Sequence, residues 1–278
     1  MTKDLLYHYT SIETLALILK YKTICFNNLL SVDDMEEAET EDMGNFGKYI
    51  NVSCWTEDKE ESIPLWNLYT PNMKGVRIGL PKFPFEKYHF RAGEYHLSND
   101  IDTYINLEWV YNHNRGSIVP NMPILCEVRY TNDENKLFPK VRECNDIKAL
   151  RRFIDTGNII KKEVMANYSF EELGKFKRSN WEFQKEWRYI INSAPTPIKE
   201  QENHQTIEQH REFFRRIESR EYPAPYDRIF LNIDNRYLES IEVLIGPKVN
   251  EGEKIIVEAL LNQYCPKAII RESKLKVK

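Results

Sequence analysis

Histidine is scarce in this chain, with six residues in 278, and glycine is little commoner at ten. No Gly-rich phosphate loop is present, so a doubly wound nucleotide-binding sheet lacks its fingerprint. Gly-x-Ser-x-Gly is missing too, which with the few histidines argues against a hydrolase built on a nucleophile elbow. The five cysteines, Cys25, Cys54, Cys126, Cys144 and Cys265, are odd in number and widely scattered. Without a close pair they make neither a metal knuckle nor a redox motif, and they read as reduced, mostly buried thiols. No segment has the uninterrupted apolar length of a membrane span. Met1–Asp4 leads into a strand pattern without the apolar core of a secretory signal, so the expected address is the cytoplasm. A basic excess is lacking as well: 39 Lys and Arg against 43 Asp and Glu give a net charge of −4. That balance argues against strong nonspecific nucleic-acid binding through phosphate neutralisation and leaves room only for a local basic groove.

What the chain has is apolar and aromatic material, 41% hydrophobic residues with sixteen Tyr and five Trp, enough for a sizeable core and an aromatic-lined cleft. Leu5 to Tyr9 predicts a first strand, and Thr10 or Ser11 caps the helix that follows, whose Ile12, Leu15, Ala16 and Leu19 share one face. Thr23–Phe26, Tyr49–Trp55, Gly75–Leu80, Ile124–Thr131, Arg228–Ile233, Ile241–Ile245 and Ala268–Arg271 read as further strands. Glu61–Tyr69, Ile147–Ala166, Gln205–Arg220 and a segment around Ile255–Leu261 read as helices. The acidic stretch Asp33–Asp42 reads as a solvated helix or loop. Pro81–Pro123 reads as a long covering loop with a helix near Ile101–Tyr111. Strands and helices alternate too irregularly for a parallel doubly wound sheet, so the expectation is one α+β domain over 1–278. The Ala194-Pro195-Thr196-Pro197 and Pro223-Ala224-Pro225 segments bracket a helical excursion around 195–225.

Trp181 to Tyr189 is the most informative stretch. It alternates with period two between rings (Trp181, Phe183, Trp187, Tyr189) and polar groups (Glu182, Gln184, Glu186, Arg188), which predicts a strand with a working face. Carboxylates backed by aromatic packing are where ionisation and hydrogen bonding become useful chemistry. The same alternation also fits an edge strand whose Glu and Arg pair across the surface. His8, between Tyr7 and Tyr9, points to the opposite face of its strand from both rings, either as a ligand-positioning donor or as a satisfied histidine.

Leu6-Tyr7-His8-Tyr9-Thr10-Ser11, Ser53-Cys54-Trp55 with Glu61-Ser62, Leu65-Trp66-x-x-Tyr69, Gly75-Val76-Arg77-Ile78, Trp181 with Glu186-Trp187-Arg188, and Leu244-Ile245-Gly246-Pro247 occur in that order. Together they resemble a bacterial and phage family of unknown function, along nearly the whole chain. A looser likeness concerns mechanism: a first-strand histidine followed by a capped helix resembles the opening of ADP-ribosyltransferases. That resemblance implies a mixed or antiparallel split sheet, NAD as a consumed dinucleotide substrate and no metal. It also implies an acceptor that is a protein or nucleic acid, and a role in phage defence or toxin-type conflict. Gln184-Lys185-Glu186 matches the Gln/Glu-x-Glu motif of that superfamily. Carried over, Glu186 binds the nicotinamide ribose hydroxyl and stabilises an oxocarbenium-like transition state, and Gln184 orients the acceptor. His8 holds the adenosine ribose, and Tyr69, with Tyr49 as second choice, stacks on nicotinamide. Ser53 stands where several such transferases carry a Ser-Thr-Ser run, here only Ser53-Cys54-Trp55. Arg77 and Arg188 suit the pyrophosphate, because guanidinium groups match phosphate oxygens bidentately, and suit neighbouring carboxylates equally.

Two other readings stand beside this one. A non-catalytic nucleotide-binding or sensor module would keep the aromatic cleft and release no nicotinamide. A metal-dependent nuclease would use Asp33, Asp34 and Glu36.

Overall fold

The computed structural model of the protein describes residues 4–119, 123–158, 166–200 and 206–277. The first strand, β1 (Leu5–Ser11), runs directly into helix α1 (Ile12–Tyr21), and the junction is set by Ser11, whose hydroxyl accepts from the Thr14 N–H at 3.1 Å. Glu13 lies in the first turn, where the helix dipole favours it, and Lys22 ends the helix in a left-handed conformation (φ 55). A helix of this length is marginal in isolation. It is held by Leu15 and Leu19, which enter the main core with no exposed surface, each such side chain contributing about 1.5–3 kcal/mol.

Strands β2 (Thr23–Asn28), β3 (Ile50–Thr56) and β4 (Gly75–Pro81) complete the framework, with helix α2 (Ile63–Tyr69) between β3 and β4. Ser62 caps α2 by accepting from the Leu65 N–H, and Pro64 occupies its first turn, where a missing N–H does no harm. β1 and β4 pair antiparallel along their whole length, from Leu5↔Pro81 to Ser11↔Gly75. Among the described residues ten strands join one sheet, in the order Arg228–Asn232, β2, β3, β1, β4, Glu242–Ile245, Ile269–Glu272. The long strand Glu186–Ala194 pairs with β3 from Glu186↔Thr56 to Asn192↔Ile50, and on its far side meets two short strands. Antiparallel pairs dominate, while Glu242–Ile245 and Ile269–Glu272 run parallel across the helix Glu251–Tyr264. The class is α+β, as the sequence predicts.

With Glu186–Ala194 along one edge of β3, β2 and β1 share the other. β2 meets it at Val52 and Asn51, and β1 only at Tyr7↔Thr56. The sheet therefore splits beside Ser53–Trp55. One face carries the main core, including Trp55, Ile78, Tyr189 and Val257 under α1 and the Glu251–Tyr264 helix. The other face carries two smaller clusters. Tyr9, Leu65, Trp66 and Met73 pack under α2, and Phe46, Tyr49, Val52, Ile190 and Ile217 pack together over the second half of the sheet.

Five expectations change. Residues 181–185 are not strand: Ser179–Gln184 form a 3-10 helix, Lys185 turns left-handed (φ 44), and the strand begins at Glu186. The turn is pinned from outside, by the Lys185 to Asp58 ion pair at 2.7 Å and by the Thr56 hydroxyl donating to the Lys185 carbonyl at 2.9 Å. The Asp33–Asp42 stretch is not wholly solvated, since Asp34 caps the 3-10 helix Met35–Ala38 and is buried with Glu37. Ile101–Thr103 is a strand paired with Tyr88–Phe90, and the helix there is Leu107–His113. The excursion around 195–225 contributes its helix, Ile207–Glu218, to the second small cluster through Ile217, Phe213 and Phe214. The predicted helix Ile147–Ala166 ends at Thr156, where Gly157 turns left-handed (φ 70); residues 159–165 lie outside the described residues, and Ala166 opens a short strand.

Candidate functional site

A small pocket lies at the split, floored by β1 and β3, walled by Leu65 and Tyr69 of α2, and closed by Gln184 and Glu186. Its lining is mostly apolar and aromatic and contains no Lys or Arg. Strand register explains the composition. Tyr7, Thr56 and Glu186 oppose one another and share a face, whereas His8, opposite Ile78, faces the main core. His8 nevertheless reaches the pocket because β1 and β3 have parted. A continued ladder would set Tyr9 against Cys54; instead the His8 ring donates from Nδ1 to the Cys54 carbonyl at 2.8 Å, beside Trp55 at 5.2 Å between ring centroids. Burial pushes the His8 pKa down, so the ring is neutral near pH 7 and its Nε2 is an acceptor.

Four charged side chains, Glu186 in the pocket wall and three behind it, form a closed, neutral quartet. Lys177 donates to Glu186 Oε2 at 2.8 Å and pairs with Glu37 Oε1 at 3.2 Å. Arg188 donates through Nε to Glu186 Oε1 at 2.5 Å, and through its terminal nitrogens to both oxygens of Glu37. No member exposes more than 5% of its side chain. Burial alone would raise the Glu186 pKa, but Arg188 and then Lys177 outweigh it and hold the carboxyl well below its usual range. Lys177 stays protonated for the converse reason: burial and Arg188 oppose its charge, and Glu186 and Glu37 prevail. The third Lys177 contact goes to Gln184 Oε1 at 2.8 Å, and Gln184 Nε2 donates to the Tyr69 hydroxyl at 2.7 Å. Burial, with Glu186 nearby, drives the Tyr69 pKa upward, so the phenol keeps its proton.

His8, Tyr69, Gln184 and Glu186 thus meet in one pocket, drawn from β1, α2, a 3-10 helix and a strand. The structure does not bring the other predicted residues to it. Ser53 faces the main-core side, its hydroxyl accepting from Trp55 Nε1 at 3.0 Å. Arg77 lies over the Tyr7 ring at 4.5 Å and donates to the Lys59 and Glu60 carbonyls at 3.0 and 3.2 Å, anchoring the segment that leads into α2. Arg188 sits behind Glu186 in the quartet, and Tyr49 is buried among Phe46 and Phe170. Among the described residues no group of three or more His, Cys, Asp or Glu is placed to hold a metal ion. Asp34 caps a 3-10 helix and Glu36 pairs with Arg178. Sequence reasoning missed Lys177 and Glu37. Lys177 carries no local signal between Phe176 and Arg178, and Glu37 was hidden in an acidic run; only the topology shows that both face inward. Cys54, whose thiol is pushed up by burial and by Glu186, joins the pocket because it shares a face with Arg188.

No helix among the described residues is long and apolar enough to cross a membrane. No curated protein and no solved structure matches the chain. Residues 65–189, a span of less than half the chain that holds Tyr69, Lys177, Gln184 and Glu186 and leaves out His8 and Glu37, match the model of a family described as a protein of unknown function (DUF2971).

Proposed function

We propose that the pocket serves an NAD-consuming, ADP-ribosyltransferase-like reaction. The observation that carries this reading is the convergence of His8, Tyr69, Gln184 and Glu186, each singled out from sequence, on one cavity. The space it encloses is about 50 Å³, well below typical ligand sites. With no cation in the lining, the diphosphate of a dinucleotide would lie outside it. In this reading Tyr69 flanks the ring, neutral His8 accepts a hydroxyl proton at Nε2, and the ionised Glu186 supports the positive charge that grows as the glycosidic C–N bond breaks. The test keeps the charge and moves the group: Glu186→Asp retains the quartet's neutrality and withdraws the carboxylate by one methylene. Nicotinamide release should fall about 10²–10³-fold with the near-UV spectrum unchanged. Wild-type turnover in that variant would remove Glu186 from the chemistry.

A specific observation favours a second reading, a nucleotide-binding module without turnover. Both Glu186 oxygens already accept from Arg188 or Lys177, which leaves little capacity for a ribose hydroxyl. A binding module predicts that NAD raises the melting temperature, by about 2.7 kcal/mol of stabilisation at a hundredfold excess over Kd, while no nicotinamide appears under any acceptor.

A further inference from the structure

We infer that Lys177 is the positioning residue that sets the polarity of this pocket. An amide side chain has two faces, an acceptor oxygen and a donor nitrogen, and nothing intrinsic decides which one a ligand meets. Here the decision is made from behind. Lys177 has only donors, so the Gln184 oxygen must turn toward it, at 2.8 Å, and the Gln184 nitrogen must turn toward Tyr69 and the cavity. Tyr69, protonated, accepts one N–H of that amide, and the second is left for a ligand acceptor. His8 is fixed in the same manner: its Nδ1 is committed to the Cys54 carbonyl, so Nε2 offers a lone pair. From Gln184 and His8 the cavity therefore receives one directed donor and one directed acceptor, beside the ion-paired Glu186 carboxylate and on aromatic walls. That pattern selects a neutral planar ligand with a carbonyl oxygen and an N–H or O–H, and disfavours an anion.

Lys177 itself does not line the cavity. Its three contacts, to Gln184, Glu186 and Glu37, are those of an ammonium whose donors point at three different oxygens from one tetrahedral centre. It connects the acidic segment near residue 37 with both pocket-facing groups of 184–186, so its influence on a ligand passes through Gln184. The inference rests on the reading of the cavity as a ligand site, and the experiment separates the two.

Lys177→Met alone leaves the two carboxylates against one cation and is expected to unfold the site. Lys177→Met/Glu37→Gln keeps one carboxylate and one cation, Glu186 with Arg188, and removes the hold on Gln184 together with the Lys177–Glu186 bond and the Glu37 charge. Lys177→Arg retains the charge but replaces the tetrahedral donor with a planar fork. The primary readout needs no ligand: the Gln184 side-chain amide signals in ¹H–¹⁵N spectra, assigned by their loss in Gln184→Glu. In wild type they should be distinct and slow to exchange with solvent. In the double variant and in Lys177→Arg exchange should quicken about ten- to a hundredfold, as expected for loss of a charge-assisted hydrogen bond. Unchanged exchange in a folded variant would overturn the inference. NAD titrated into the same samples forms the second arm. A wild type that binds NAD and a double variant that binds as well, despite a released Gln184, would also overturn it. A released Gln184 in a protein whose wild type never responds to NAD would leave the positioning role standing and remove the NAD reading.

Discussion

Glu186 is the residue on which the proposed chemistry and stability meet. Its ordinary pKa near 4.5 falls to about 2 in the fold, because Arg188 and Lys177 overcome the penalty of burial. A carboxyl depressed in the folded state contributes stability that is complete above its unfolded pKa and is lost as pH drops through the folded one. The window is therefore about pH 4.5 down to 2. Relative to Lys177→Met/Glu186→Gln, which retains the neutral Glu37–Arg188 pair, the wild type should lose on the order of a few kcal/mol across that window. Urea unfolding at several pH values measures it, and a difference that stays constant from pH 6 to 2.5 would exclude Glu186 as the titrating group. The same coupling alters what Glu186→Gln alone can teach. Read as a strand residue with a free polar face, Glu186 should tolerate Gln without loss of stability. Seen in the quartet, the substitution strands a buried cation, and breaking such a pair costs about 3–5 kcal/mol.

At the level of elements, the strand and helix patterns of β1, α1, β3, α2 and β4 were legible because alternation, capping residues and apolar faces are local signals. Trp181–Tyr189 was half legible. Glu186 to Tyr189 do alternate, yet both rows are inside the protein, and Glu186 and Arg188 are more buried than Trp187. The turn at Lys185 that cuts the strand short is held by Thr56 and Asp58, the latter 127 positions earlier, which no window of sequence contains. Gln184 and Glu186 reach the same pocket, but through a left-handed turn rather than along one strand. The Gly75 and Gly246 motifs find a common cause: the Gly246 N–H donates to the Gly75 carbonyl at 2.8 Å. A Cβ on Gly75 would meet the Thr10 carbonyl oxygen at 2.4 Å and the Thr70 side chain at 2.6 Å. Gly75→Ala should destabilise by about 1–3 kcal/mol through forced separation of β4 from β1 and α2. A thermal midpoint equal to wild type would show that the strand yields without strain.

For the molecule as a whole, single buried groups tie distant segments in addition to the sheet and its cores. Lys48 reaches the carbonyls of Ser219 and Tyr222 at 2.9 and 2.8 Å, just beyond the helix Ile207–Glu218, and anchors that excursion to the second cluster. Lys48→Met should leave the main core intact while raising proteolytic nicking near residues 195–225; an unchanged digestion pattern would show that Ile217, Phe213 and Phe214 suffice. The five cysteines are all free, as their spacing suggested, but only Cys265 is buried and the other four are partly exposed; denatured and unreduced protein should label with five thiol equivalents. Two positive and two negative charges enclosed within one hydrogen-bonded cluster have almost no field beyond it, and the pocket lining adds no cation. A ligand approaching this site is then guided by contact rather than drawn from afar. Its association rate should vary little as added salt shortens the Debye length from about 30 Å to about 3 Å, unlike a site that recruits its ligand by charge.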